Sequence, residues 1–162
     1  MNYETTAEIE LAIAKYYGWR QNIIVPNVSW GLLYHEADIL IMTKSGCVYE
    51  IEIKVSKSDL IAENKKRHKH QSNIIKSIYF AIPEKLKQHI EYILPNAGIY
   101  IIGKTGTVRL LREAEININY RNLNDMEKYN LARLGTMRIW NLKSRVMVQM
   151  NSYRNLLNRY NH

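Results

Sequence analysis

Ile39 to Met42 is an unbroken apolar run, too short for a helix and suited to a buried strand. Thr43-Lys-Ser-Gly46 follows it with turn chemistry, Gly46 being free to take a positive φ. Cys47 to Val55 then alternates strictly. Val48, Glu50, Glu52 and Lys54 point one way, and Cys47, Tyr49, Ile51, Ile53 and Val55 the other. Together these pieces demand a β-hairpin. Its first strand opens with Glu36 and Asp38, and its second carries Glu50, Glu52 and Lys54 on one face.

A carboxylate at the start of one strand and a second midway along its neighbour can converge on one divalent cation. Hard oxygen donors suit Mg²⁺ or Mn²⁺. Such a cation polarises a phosphoryl oxygen and acidifies a bound water. An ammonium two residues beyond Glu52, on the same face, can orient that water and offset charge on a phosphorane. Glu-x-Lys on an alternating strand is also the pattern of a solvated face with cross-strand ion pairs. Asp38 favours the metal reading, because it opens a strand apolar on both faces, where an unpaired carboxylate is costly to bury, although a turn there would expose it instead.

Asp38, the hairpin and then Glu52-Ile53-Lys54 resemble the core of the PD-(D/E)xK nuclease superfamily. The continuation Lys54-Val-Ser-Lys-Ser-Asp59-Leu60, with Lys65 and Lys66 after it, is similar to the small phage and bacterial branch that includes MmcB-like DNA-repair proteins. Ser77-Ile-Tyr79-Phe80-Ala-Ile-Pro83-Glu84 and Gly98-Ile-Tyr-Ile-Ile102 resemble later strands of that branch. The resemblance runs from about Thr5 to Ala114. It departs at Ala37, where the family name has proline. It implies a restriction-endonuclease-like mixed central sheet flanked by helices, and Mg- or Mn-dependent hydrolysis of DNA. Asp38 and Glu52 would hold the metal with the Ile53 carbonyl as a third ligand, and Lys54 would assist the water. An acidic residue on the first helix would sit near the metal. Glu8 is the first candidate, with Glu10 and Glu4 behind it, although Glu8 also fits a simple helix cap.

The 162 residues suit one domain with a sizeable core. No apolar run reaches the length of a membrane span. Met1-Asn-Tyr-Glu-Thr lacks the basic and apolar stretches of a signal peptide. Cys47 is the single cysteine, which excludes an internal disulfide and a cysteine metal site. A cytoplasmic protein is expected. The net charge of +8 favours a polyanionic partner, nucleic acid first.

The remaining elements follow from periodicity. Thr5-x-x-Glu8 caps a helix ending at Gly18. Asn22 to Val25 and Val28 to Leu33 supply strand material around Pro26-Asn27, and Trp19 and Trp30 read as packing. His35 reads as a surface loop residue. Glu36 shares Asp38's face and is either a helper to the metal or a surface carboxylate. Ser56 caps a short helix reaching about Glu63. Lys65, Lys66, Arg67 and Lys69 then form a basic run expected to contact phosphates. Strands are expected at Ser77–Ile82, Gly98–Ile102 and Thr107–Leu111, with a helix over Glu84–Ile93.

The sequence divides into a nuclease-like domain over 1–116 and, over 117–162, a linker followed by a basic amphipathic helix capped by Asn124-x-x-Glu127. Gly135 could split that helix. Ile139, Leu142, Val146, Met150, Tyr153, Leu157 and Tyr160 recur at three-four spacing, and no acid follows Glu127. Packing on the domain's own core is expected first, a homodimer seam second and a DNA-binding arm third. The chain as a whole reads as a metal-dependent nuclease acting on DNA, or else as a catalytically silent DNA-binding or repair-accessory module on the same α/β fold.

Overall fold

The computed structural model describes residues 5–29, 32–33, 35–63 and 72–160, and the side chains up to residue 157. The basic run Lys65–Lys69 and Trp30 lie outside them. Helix α1 (Thr6–Tyr17) starts on the expected capping box. The Thr5 hydroxyl accepts from the Glu8 amide, and Glu8 Oε2 accepts in return from the Thr5 amide at 2.9 Å. Six strands follow: β1 (Ile23–Val28), β2 (Ala37–Met42), β3 (Val48–Ile53), β4 (Ser77–Pro83), β5 (Gly98–Ile102) and β6 (Val108–Arg112). Helix α2 (Lys57–Glu63) joins β3 to β4, a 3₁₀ stretch (Glu84–Tyr92) joins β4 to β5, and α3 (Asp125–Tyr160) closes the chain.

The strands form one sheet in the order β1-β2-β3-β4-β5-β6. The β1–β2, β2–β3 and β5–β6 pairings are antiparallel, and β3–β4 and β4–β5 are parallel. Each parallel step needs a crossover, and α2 and the 3₁₀ stretch supply them. The predicted hairpin is β2–β3. Its turn closes with the Thr43 amide donating to the Cys47 carbonyl at 2.9 Å, and Gly46 takes φ 84°. The chain is therefore α/β, a mixed sheet flanked by helices with a long C-terminal helix.

One face of the sheet lies under α1. Ile9, Ala12 and Ile13 pack on Ile39, Ile41, Ile51 and Ile53. The other face carries two apolar clusters. The first joins Leu40 and Val48 to Leu123 and Leu131, and the second joins Phe80 and Ile82 to Leu60 of α2. With both faces covered, most residues of the central strands are buried.

Three expectations need correction. β1 runs unbroken through Pro26-Asn27 and ends at Val28; as an edge strand it tolerates a proline that has no amide to donate. The predicted helix after Pro83 is a 3₁₀ stretch, broken at His89 (φ −119°, ψ 21°), and Pro83 gives its first turn no side-chain cap. The segment after residue 116 is not a detached linker. Asn117 Nδ2 donates to the Ser72 and Ile75 carbonyls, and Leu123 and Leu131 are core residues.

Gly135 does not split α3. It lets the helix press on β1, where a Cβ would stand 3.3 Å from Val25 Cγ2. The predicted Asn124–Glu127 box forms reciprocally at 2.9 and 2.8 Å, and Arg121 clamps the Glu127 carboxylate with two bonds of 2.7 Å. That clamp holds the Glu127 carboxyl at about 2, well below its ordinary 4.5, with help from the Asn124 amide. A depressed carboxyl stabilises the fold above its unfolded pKa, and the gain is lost as pH falls through its folded pKa. Glu127→Gln is therefore expected to cost about 1 kcal/mol near neutral pH, solvent screening keeping the figure small. It should also flatten the stability profile from pH 4.5 to about 2. Urea titrations across that window check this; parallel profiles for the two proteins would reject it.

Candidate active site

The β2–β3 register pairs Ile39 with Ile51 and Leu40 with Glu50, so one step further along places Asp38 beside Glu52. Asp38 Oδ2 accepts the Ile53 amide at 2.7 Å, which fixes the carboxylate against the far end of β3. Glu52 is 1% exposed and Lys54 7% exposed, so this alternating face is not a solvated one. The Lys54 ammonium lies 6.0 Å from the centroid of the Phe80 ring on the neighbouring strand. The Lys54 ammonium sits 2.7 Å from Glu52 Oε2 and 2.9 Å from Glu63 Oε2, the latter at the last turn of α2. Glu50, wholly buried one pleat back, bonds His35 Nε2 at 2.8 Å.

The electrostatics follow from this crowding. Burial raises the Glu52 carboxyl, Lys54 opposes the shift, and the negative fields of Asp38 and Glu50 add to it. Burial alone would lower the Lys54 pKa, but Glu52 and Glu63 outweigh it and hold the ammonium above its ordinary value. Burying carboxylates is expensive unless they are compensated. The shifted pair Glu52 and Lys54, with Asp38, Glu50 and Glu63 around it, makes a crowded polar cluster of the kind that marks candidate functional sites.

Of the acids on α1, it is Glu10, not the first candidate Glu8, that lies in the field of Asp38. Glu8 spends its carboxylate on the cap, accepting the Thr5 hydroxyl at 2.7 Å as well as the amide. Glu10 is half-buried two residues on, and it is raised first by burial and then by the field of Asp38. Glu36 is exposed. His35 is a correction of another kind: instead of a surface residue it is a largely buried partner of Glu50. His35, Glu50 and Glu63 were absent from the predicted site. For Glu50 the signal was available, since it shares the face of Glu52. Lys65, Lys66, Arg67 and Lys69 lie outside the described residues.

Among the described residues, no three His, Cys, Asp or Glu side chains converge into a ready-made metal cage. The register brings two neighbouring carboxylates together, Asp38 and Glu52, a hard-oxygen pair. That pair fits Mg²⁺ or Mn²⁺, which commonly take one or two carboxylates and keep several waters. No helix among the described residues is long and apolar enough to cross a membrane.

Fold and site together define a mixed-sheet α/β domain with a buried acid–lysine cluster at the end of its central hairpin. The chain is similar to the SPO1766 protein of unknown function from Silicibacter pomeroyi. The two are 14% identical over 91% of this chain and 92% of that one, with a TM-score of 0.61. At that identity the likeness shows the fold alone. No protein-family model matches the chain, and no curated protein does.

Proposed function

We propose that this protein is a divalent-metal-dependent nuclease that hydrolyses phosphodiester bonds of DNA. The observation that supports it most is Asp38 beside Glu52, with Lys54 on the same buried face. Asp38 and Glu52 would hold Mg²⁺ or Mn²⁺, with the Ile53 carbonyl as the third protein donor. When bound, the ion would polarise the scissile phosphoryl oxygen and acidify a water. The Ile53 amide keeps Asp38 in one rotamer. Glu52 and Glu63 steer the Lys54 ammonium, whose charge would stabilise the phosphorane as water oxygen bonds phosphorus and the ester oxygen leaves. Glu10 is a further carboxylate near Asp38. The excess of positive charge and the run Lys65, Lys66, Arg67, Lys69 suit a DNA substrate through phosphate contacts.

A second reading is favoured by the Lys54–Glu52 and Lys54–Glu63 contacts, which already compensate the buried carboxylates without an ion. It is a silent DNA-binding or repair-accessory module on the same fold. Incubation with single-stranded, duplex and branched DNA in Mg²⁺, Mn²⁺ or EDTA decides between them. Metal-dependent cleavage supports the nuclease. DNA binding in EDTA, with no cleavage in either metal, rejects it in favour of the silent module.

A further inference from the structure

The inner part of α3 is anchored and the outer part is not. Leu131 is buried, Gly135 presses on Val25, and the Arg138 guanidinium donates to the Asn27 carbonyl. Beyond Arg138 the apolar row leaves the domain, against the first expectation that the row packs on its own core. Leu142 is 63% and Tyr153 68% exposed, and no described side chain from 139 to 157 is buried. Those 19 residues form a rod of about 28 Å.

The row has the geometry of a coiled-coil seam. Ile139, Val146 and Tyr153 recur every seven residues as one seam position. Leu142 and Leu156 fill the other, with a single polar break at Gln149. β-Branched residues at the first position with leucine at the second favour two strands. Charges flanking a seam choose the partner. Here Arg138, Lys143 and Arg145 flank it, and no acid follows Glu127 anywhere in the helix. In a parallel pair of identical helices Arg138 would face Lys143 of the second copy. In an antiparallel pair the uncharged flank positions Met150, Ser152 and Leu157 can face the basic ones, but no acid is on hand to form an ion pair. An apolar seam offers DNA phosphates nothing to bind. The back of the helix, with Asn141, Ser144, Asn155, the exposed Trp140, Met147 and Val148 and a lone cation at Arg154, lacks the strongly charged face of helices that lie on lipid.

We infer that residues 139–157 of α3 are a docking seam for an amphipathic helix of a different protein, one whose flanking positions are acidic. The flanks disfavour self-pairing, which sets Arg138 against Lys143 and offers no ion pair, and they favour a Glu- or Asp-flanked partner by attraction, while the seam supplies the apolar burial.

The probe is a synthetic heptad peptide with Ile and Leu at the seam and Glu at the flanks, beside a twin with Lys at the flanks. Full-length protein is expected to sediment as a monomer and to bind the Glu-flanked peptide, more weakly as salt rises, and not its Lys-flanked twin. Val146→Glu with Tyr153→Glu should weaken that binding by about tenfold or more. Both positions are exposed, so an unchanged melting temperature keeps the comparison valid. Four results would overturn the inference. They are a dimer of the protein alone that the double variant dissociates, equal binding of the two peptides, no binding of the Glu-flanked peptide, or variant-sensitive binding only to phosphatidylglycerol vesicles or duplex DNA.

Discussion

Asp38→Asn and Glu52→Gln are each expected to reduce Mg²⁺- or Mn²⁺-dependent DNA cleavage by on the order of 10³-fold or more, with the melting temperature nearly unchanged. The amides are close in shape to the acids they replace. A side-chain amide oxygen at position 38 can still accept the Ile53 N–H that Asp38 accepts at 2.7 Å, and one at position 52 can still accept from Lys54. What each variant loses is the negative charge that would hold the cation. Lys54→Ala is a poorer test than it looks from sequence, because it leaves the Glu52 and Glu63 carboxylates facing each other without the ammonium between them. Breaking such a buried arrangement typically costs about 3–5 kcal/mol, so lost activity could then reflect lost fold. Lys54→Met with Glu63→Gln removes the cation and one acid together and isolates the electrostatic role. Calorimetric Mn²⁺ titration should register weaker binding in Asp38→Asn and Glu52→Gln but not in that pair. If both acid variants cleave at the parent rate, these carboxylates are not the metal site.

Gly98→Ala is expected to be the most damaging alanine substitution among the described glycines. Gly98 pairs with Tyr79 in the parallel β4–β5 register, and the tyrosine ring folds over it. A Cβ at Gly98 would stand 2.2 Å from Tyr79 Cδ1, 2.3 Å from Cε1 and 2.9 Å from the Ala114 amide nitrogen. The ring has nowhere to go. It stacks on Tyr100 at 4.8 Å between centroids, and its hydroxyl donates to Glu113 at 2.8 Å. Relief would require β5 to move away from β4, so a loss of about 3 kcal/mol or more is expected. Denaturant unfolding measures it directly. A loss under about 1 kcal/mol would mean that the ring swings clear at little cost.

Much of the local structure was legible because it depends on neighbours in sequence. Two capping boxes, the turn at Gly46 and the strand that Pro83 ends rest on residues a few positions apart. The alternation of Cys47 to Val55 likewise places Glu50, Glu52 and Lys54 on one face whatever the fold. Hydrogen bonding within a turn and the two-residue pleat are properties of short chain segments, so the sequence alone determines them.

What the sequence left open concerned environment, which distant residues create. Whether the Glu52–Lys54 face met water or a core was decided by α2, whose Glu63 meets Lys54, and by Phe80 of the neighbouring strand. His35 became a partner of Glu50 because the hairpin brings them within 2.8 Å across fifteen residues of chain. Glu63 joined the site because the crossover helix ends over Lys54. On α1, spacing alone could not choose between Glu8 and Glu10; the cap claimed one and proximity to Asp38 marked the other. In α3 the same three-four spacing runs through a docked half and a projecting half, since periodicity fixes a helix's apolar stripe but not what covers it. By itself, then, the sequence determined which segments turn, pleat and coil and which side chains share a face. Tertiary structure alone decided which of those faces is buried, because burial depends on contacts between segments far apart in the chain.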